Sequence, residues 1–176
     1  MNTNWQLFPR SLSAPAHLLQ VVDAFEAVAS AIGTPTNQLW SNDVLATVSP
    51  HLTALGFEVE DPGPPKTTID MPVLFGPGGR PEKTFQVDAF QPATNTIIEV
   101  EAGRGVANHQ FLKDFFEACA IQDAEWLVIA VMNSYKPPSA KGKGADDWNK
   151  VVTFIDTLYE SGRIDVPLSG VMILGY

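Results

Sequence analysis

The sequence predicts an α/β fold, a central mixed β-sheet flanked by helices, on three observations. Three strand-like runs, IDMPVLFG, TFQVDAF and NTIIEVEA, follow one another in mid-chain. From Val106 to Ile121 the pattern switches to helical period, with Phe111, Leu112, Phe115, Phe116 and Cys119 apolar and Gln110, Lys113, Asp114 and Glu117 polar. WLVIAVMN is then a continuous apolar run bounded by turns, as expected of a strand buried on both faces. The order helix, helix, three strands, helix, strand, helix, strand fits a sheet covered by helices.

Each element has its own signal. Leu18, Val21, Val22, Phe25, Val28 and Ala29 recur at helical spacing, which predicts an amphipathic helix from Ala14 to Ile32, ended by Gly33 and Pro35. Ser41 is a candidate N-cap for a second helix carrying Val44, Leu45, Val48, Leu52 and Leu55. Pro50 is expected to kink or restart that helix and Gly56 to end it. Phe57, Val59 and EDPGPPK lead into the sheet. FGPGGRPEK and QPATN, both rich in turn formers, join the three strands into an expected antiparallel meander. WNKVVTFIDTLYES reads as the last helix and GVMILGY as the last strand. Between WLVIAVMN and that helix, SYKPPSAKGKGADD is expected to be a mobile loop; its Lys136, Lys141 and Lys143 suit either a phosphate grip or a solvated linker. Trp40, Trp126 and Trp148 are expected to be packing residues, and His17, His51 and His109 to be helix-surface residues without metal-ligand spacing. The expected organisation is a single domain, 1–176, in which 1–40 is a helical extension packed on a core of 41–176.

Composition narrows the function classes. The chain has 176 residues, 45% hydrophobic and 18% charged, as in ordinary globular proteins. No apolar run approaches the roughly 20 residues that span a bilayer, and MNTNWQLFPRSLS lacks a basic segment followed by an apolar one, so a cytoplasmic protein is expected. Cys119 is the single cysteine, which excludes an internal disulfide and a cysteine-based zinc cage. A net charge of −9 argues against a broad basic surface for nucleic acid while leaving room for a local groove.

Three acids stand out. Strand side chains alternate, so Glu99 and Glu101 share one face and Ile98 and Val100 the other. On the preceding strand Val87 and Ala89 alternate with Gln86, Asp88 and Phe90. Matching the apolar faces sets Val87 beside Val100 and Ala89 beside Ile98, closed by a four-residue loop from Pro92 to Asn95, and puts Asp88 opposite Glu99. Carboxylates so placed have Cβ atoms roughly 4.5–5.5 Å apart and destabilise the pair unless their repulsion is offset. A divalent cation offsets it: Mg²⁺ prefers carboxylate oxygens with waters, and the Val100 carbonyl supplies a further oxygen. The plain alternative is the solvated side of a half-exposed sheet, where Thr or Lys would serve better than acids.

With these residues in view, FQVDAF…TIIEVEAGRG resembles the PD-(D/E)xK, or restriction-endonuclease-like, nucleases. The shared pattern is an acid on the second strand, a short hairpin, a D/E-x-K/E pair on the third, then a helix and an apolar strand; it covers about 42 to 133. Val87 stands in place of the name-giving proline. Glu101 stands in place of the usual lysine, which resembles the ExE variant that a minority of restriction enzymes with this fold use. The resemblance implies a restriction-endonuclease-like core and a Mg²⁺- or Mn²⁺-dependent endonuclease acting on DNA. Asp88 and Glu99 would bind metal with the Val100 carbonyl, and Glu101 would orient or deprotonate the attacking water. An acid on the first core helix often joins the metal shell, with Asp43 the best match and Glu26 second. As local structure, Asp43 is equally a first-turn acid that suits the helix dipole. Arg104, Gln110 and Lys113 are candidate contacts to the substrate phosphate, Lys113 also as a stand-in for the missing lysine. Cutting both strands implies a possible homodimer. Two other readings stand beside it: a non-cutting binding or assembly module of the same fold, and a carboxylate-pair glycosidase.

Overall fold

A computed structural model describes residues 3–33, 39–137 and 142–176. Its elements run β1 (Asn4–Phe8), α1 (Ala16–Ile32), α2 (Ser41–Ala54), β2 (Glu58–Val59), β3 (Ile69–Phe75), β4 (Pro81–Val87), β5 (Ala89–Gln91) and β6 (Thr96–Glu101). They continue with α3 (Gln110–Ala120), β7 (Trp126–Val131), β8 (Ser134–Tyr135), β9 (Ala145–Asp146), α4 (Asp147–Ser161) and β10 (Gly170–Gly175). Six strands form one mixed sheet in the order β1-β10-β7-β6-β5-β2. β6, β7 and β10 are mutually parallel, and β5 and β1 flank them antiparallel.

Alternation along the strands divides the core into two layers. Ala89, Ile98, Val100, Val128, Ala130, Met172 and Leu174 pack against Leu18, Val21 and Phe25 of α1 and Val44, Leu45, Val48 and Leu52 of α2. The opposite face, Ile97, Leu127, Ile129, Val131, Val171 and Ile173, packs against Phe111, Phe115 and Ala118 of α3 and Val151, Val152 and Ile155 of α4. Each fully buried aliphatic side chain contributes roughly 1.5–3 kcal/mol of burial free energy. β7 and β10 are apolar throughout because both of their faces are covered.

Several expectations are corrected. The three mid-chain runs do not form one meander. β3 and β4 pair as a separate two-stranded ribbon, and only β5 and β6 enter the central sheet. The chain closes the ribbon locally through Gly78 and Gly79, whose φ values of 73° and 74° favour glycine. The ribbon draws Val87 away to pair with Ile69, so Val87 joins the α3/α4 layer instead of lying beside Val100. Residues 1–40 hold a strand as well as a helix, since β1 borders β10 in the sheet. α2 runs unbroken through Pro50 instead of restarting there, and Gly56 leaves it at φ 88°. α3 begins four residues later than its periodicity suggests, because Gly103 (φ 59°) and His109 (φ 58°) hold the preceding segment in turns. Ser134 and Tyr135 pair with Asp146 and Ala145, so the ends of the expected mobile loop are fastened. Lys141 and Pro35 lie outside the described residues. Trp40 is 79% exposed and is no packing residue.

Candidate functional site

Asp88 occupies the junction between ribbon and sheet. Val87 pairs outward with Ile69 and Ala89 pairs inward with Ile98, in the expected register. The ladder therefore ends just where Asp88 meets the level of Glu99. The Asp88 carbonyl accepts the Glu60 N–H at 2.8 Å. Its Oδ2 accepts the Val100 N–H at 2.7 Å, taking the place of the backbone carbonyl that a continued strand would have offered. A strand residue sends its N–H and C=O to the same edge, so the Val100 carbonyl also leaves β6 on the side of Asp88.

Glu99 and Glu101 project from β6 toward α3. Glu99 is only 9% exposed and Glu101 half-buried. Asp114 of α3, 8% exposed, meets them from above, and the Glu101 carboxyl donates a hydrogen bond to it. The backbone beneath Glu101 is fitted to it: a Cβ on Gly105 would lie 1.9 Å from Glu101 Oε2. The Tyr176 hydroxyl donates to the Glu101 carbonyl at 3.0 Å and fixes the end of β6.

The electrostatics follow from packing acids together with few cations. Burial, outweighing the Val100 N–H bond and helped by the charges of Glu60 and Asp114, raises the Asp88 carboxyl to about 6. Burial and then the charge of Asp88 push Glu99 well above the ordinary carboxylate range. Burial and the hydrogen bond with Asp114 raise Glu101 to about 9. Asp114 is itself raised, chiefly by burial. Lys113 is the cation whose charge acts on all four, although its ammonium is already engaged with Glu117 at 3.0 Å and Asp114 at 3.6 Å. A metal-free cluster of this kind holds protons at neutral pH that isolated carboxyls would have lost.

Among the described residues no group of three His, Cys, Asp or Glu side chains forms a ready metal cage. The donor set that remains, Asp88 and Glu99 with the Val100 carbonyl, fits Mg²⁺, which binds through one or two carboxylates and keeps waters or phosphate oxygens as its other ligands.

The other sequence candidates are distributed differently. The Asp43 carboxylate accepts the Trp40 N–H at 3.1 Å and caps α2; it is exposed and is not among the charges acting on the cluster. Glu26 accepts hydrogen bonds from the N–H and hydroxyl of Thr3. Arg104 is exposed on the rim of a neighbouring recess. Gln110 opens α3, exposed, with its N–H on the Gly105 carbonyl. Asp114 and Glu60 are not among the sequence candidates. For Asp114 a signal existed: Phe111, Asp114, Phe115 and Ala118 form the buried stripe of α3 at i, i+3, i+4, i+7, so an acid stands at a core position.

No family model matches the chain, and no curated protein matches it in sequence. No helix among the described residues is long and apolar enough to cross a membrane. A solved structure similar to it is a crystal structure of the restriction endonuclease BglII complexed with a DNA 16-mer, with TM-score 0.50 and 10% identity, over 99% of this chain and 76% of that one. At that identity the likeness concerns fold, and the fold is a restriction-endonuclease-like mixed sheet flanked by helices.

Proposed function

We propose that the chain is a divalent-metal-dependent nuclease that hydrolyses phosphodiester bonds of DNA. The observation that supports this best is the crowding of Asp88, Glu99, Glu101 and Asp114 into one half-covered site where their carboxyls are raised by burial and mutual repulsion. Folding tolerates such a cost where the site needs it for chemistry.

Asp88 and Glu99 would hold Mg²⁺ or Mn²⁺ with the Val100 carbonyl. Bound there, the ion supplies positive charge that polarises the phosphodiester and lowers the pKa of water and of the surrounding carboxyls. Glu101, its carboxylate freed of its proton, orients the attacking water and accepts that water's proton at Oε. The new P–O bond forms as the bond to the 3′-oxygen breaks, which leaves a 5′-phosphate. Asp114 positions Glu101 from α3, and Gly105 leaves room for the carboxylate beneath it.

Cleavage of DNA should require Mg²⁺ or Mn²⁺ and be abolished in Asp88→Ala and Glu99→Ala with the fold intact by circular dichroism. Undiminished cleavage by both variants would sink the proposal. The engagement of Lys113 with Glu117 and Asp114 favours a second reading, a binding module of the same fold that does not cut. A wild-type protein whose melting temperature ignores Mg²⁺ and which never nicks DNA would favour that reading.

A further inference from the structure

Beside the carboxylate cluster lies a recess of about 440 Å³ lined by Leu39, Trp40, Gly103, Arg104, Asn108, Met132 and Tyr135. Three separate segments build it: the approach to α2, the loop after β6, and the chain leaving β7. Its volume suits a nucleoside-sized ligand. Trp40 is 79% exposed at its edge, the most exposed large hydrophobic side chain among the described residues, and its indole makes no ring contact with another described residue.

The chemistry of the lining is mixed in a particular way. Trp40 and Tyr135 offer aromatic surface, Leu39 and Met132 a floor, Asn108 an amide with donor and acceptor, and Arg104 a fixed cation. An unpaired nucleobase uses all four: its face stacks, its edge takes amide hydrogen bonds, and its phosphate meets the guanidinium. The position adds to the argument. Arg104 follows Glu101 by three residues, so their Cα atoms lie within about 10 Å. The same loop supplies Gly105, which backs the Glu101 carboxylate. A phosphate held by Arg104 therefore lies near the end of β6 that carries Glu101.

We propose that this recess binds an unpaired nucleobase, stacked on Trp40, and that the DNA strand presented to the acids is single-stranded. This deepens the nuclease reading and rests on it for the substrate class.

The test is binding of the full chain in EDTA, which keeps metal-dependent cleavage out of the measurement. The probes are a fluorescein-labelled single-stranded oligonucleotide and a blunt duplex of the same sequence, followed by anisotropy. The single strand is expected to bind at least roughly ten-fold tighter than the duplex, and Trp40→Ala to weaken it by roughly five- to hundred-fold, the loss of one stacked base. Trp40→Phe should recover most of the loss. Because Trp40 is exposed and caps α2 through its backbone, the melting temperature of Trp40→Ala should match the wild type. Single-strand binding by Trp40→Ala within two-fold of wild type, or equal affinity for duplex and single strand, would overturn the proposal. The two readings separate cleanly. Cleavage lost in Asp88→Ala together with unchanged binding by Trp40→Ala keeps the nuclease and removes the base site. Trp40-dependent binding without cleavage in any metal keeps the base site and removes the nuclease.

Discussion

Replacing Asp88 with Asn tests the electrostatic account of the cluster without touching its hydrogen bond, because the Asn Oδ1 can still accept the Val100 N–H. The sign is fixed by linkage. A carboxyl whose folded pKa lies above its unfolded value binds more protons folded than unfolded between the two values, so stability falls as pH rises through that window. For Asp88 the window runs from the ordinary 3.8 to about 6. Two pKa units amount to about 3 kcal/mol. The side chain is half-buried, and solvent screening leaves about 1–2 kcal/mol of that as a realistic penalty. Glu101, raised from 4.5 to about 9, and Glu99 carry the decline to higher pH, and both feel the charge of Asp88.

The expected result follows in thermal melts without metal. The wild type should lose melting temperature steadily from about pH 5 to about pH 8, and Asp88→Asn should lose less. At the alkaline end the variant should melt higher by about 2–8 °C, using 2–4 °C per kcal/mol for a chain of this size. Excess Mg²⁺ should raise the wild type, by roughly 2.7 kcal/mol at one hundred times its dissociation constant, and leave the variant unmoved. A variant no more stable than the wild type at alkaline pH would refute the idea that the acids are held together against their own repulsion.

Two further outcomes probe the machinery around Glu101. Gly105→Ala places a methyl group 1.9 Å from Glu101 Oε2 and must displace the carboxylate; cleavage should fall at least roughly ten-fold, with a stability loss of about 1–3 kcal/mol by melting. Asp114→Asn removes the negative charge that helps hold the Glu101 proton while keeping an acceptor oxygen. The alkaline-rising limb of the pH–rate profile should then move to lower pH, whereas an unmoved limb would leave Asp114 a packing residue only.

How much of this was legible depended on whether the deciding interactions were local. The pairing of Ala89 with Ile98 followed from strand alternation and a four-residue turn, both contained within a short stretch, and the structure keeps that register. The break at Asp88 was not legible, because TFQVDAF alternates as one strand would. What decides it is competition: residues 81–87 close a seven-residue ribbon with 69–75 through a glycine turn, while the central sheet offers only three residues of pairing. β1 pairs with residues about 170 positions away, a partner that no local pattern names. Trp40 departs from its packing expectation, since an aromatic residue beside a helix start usually packs and this one is exposed. Asp114 differs from these. It stands on the apolar stripe of α3, and a lone acid on such a stripe is expensive unless something across the interface shares its proton or its charge. The strand facing that stripe already carried Glu99 and Glu101. Their spacing and the helix period together required Asp114 to meet one of them, so the partner of Glu101 was written in the sequence as a violation of helix patterning.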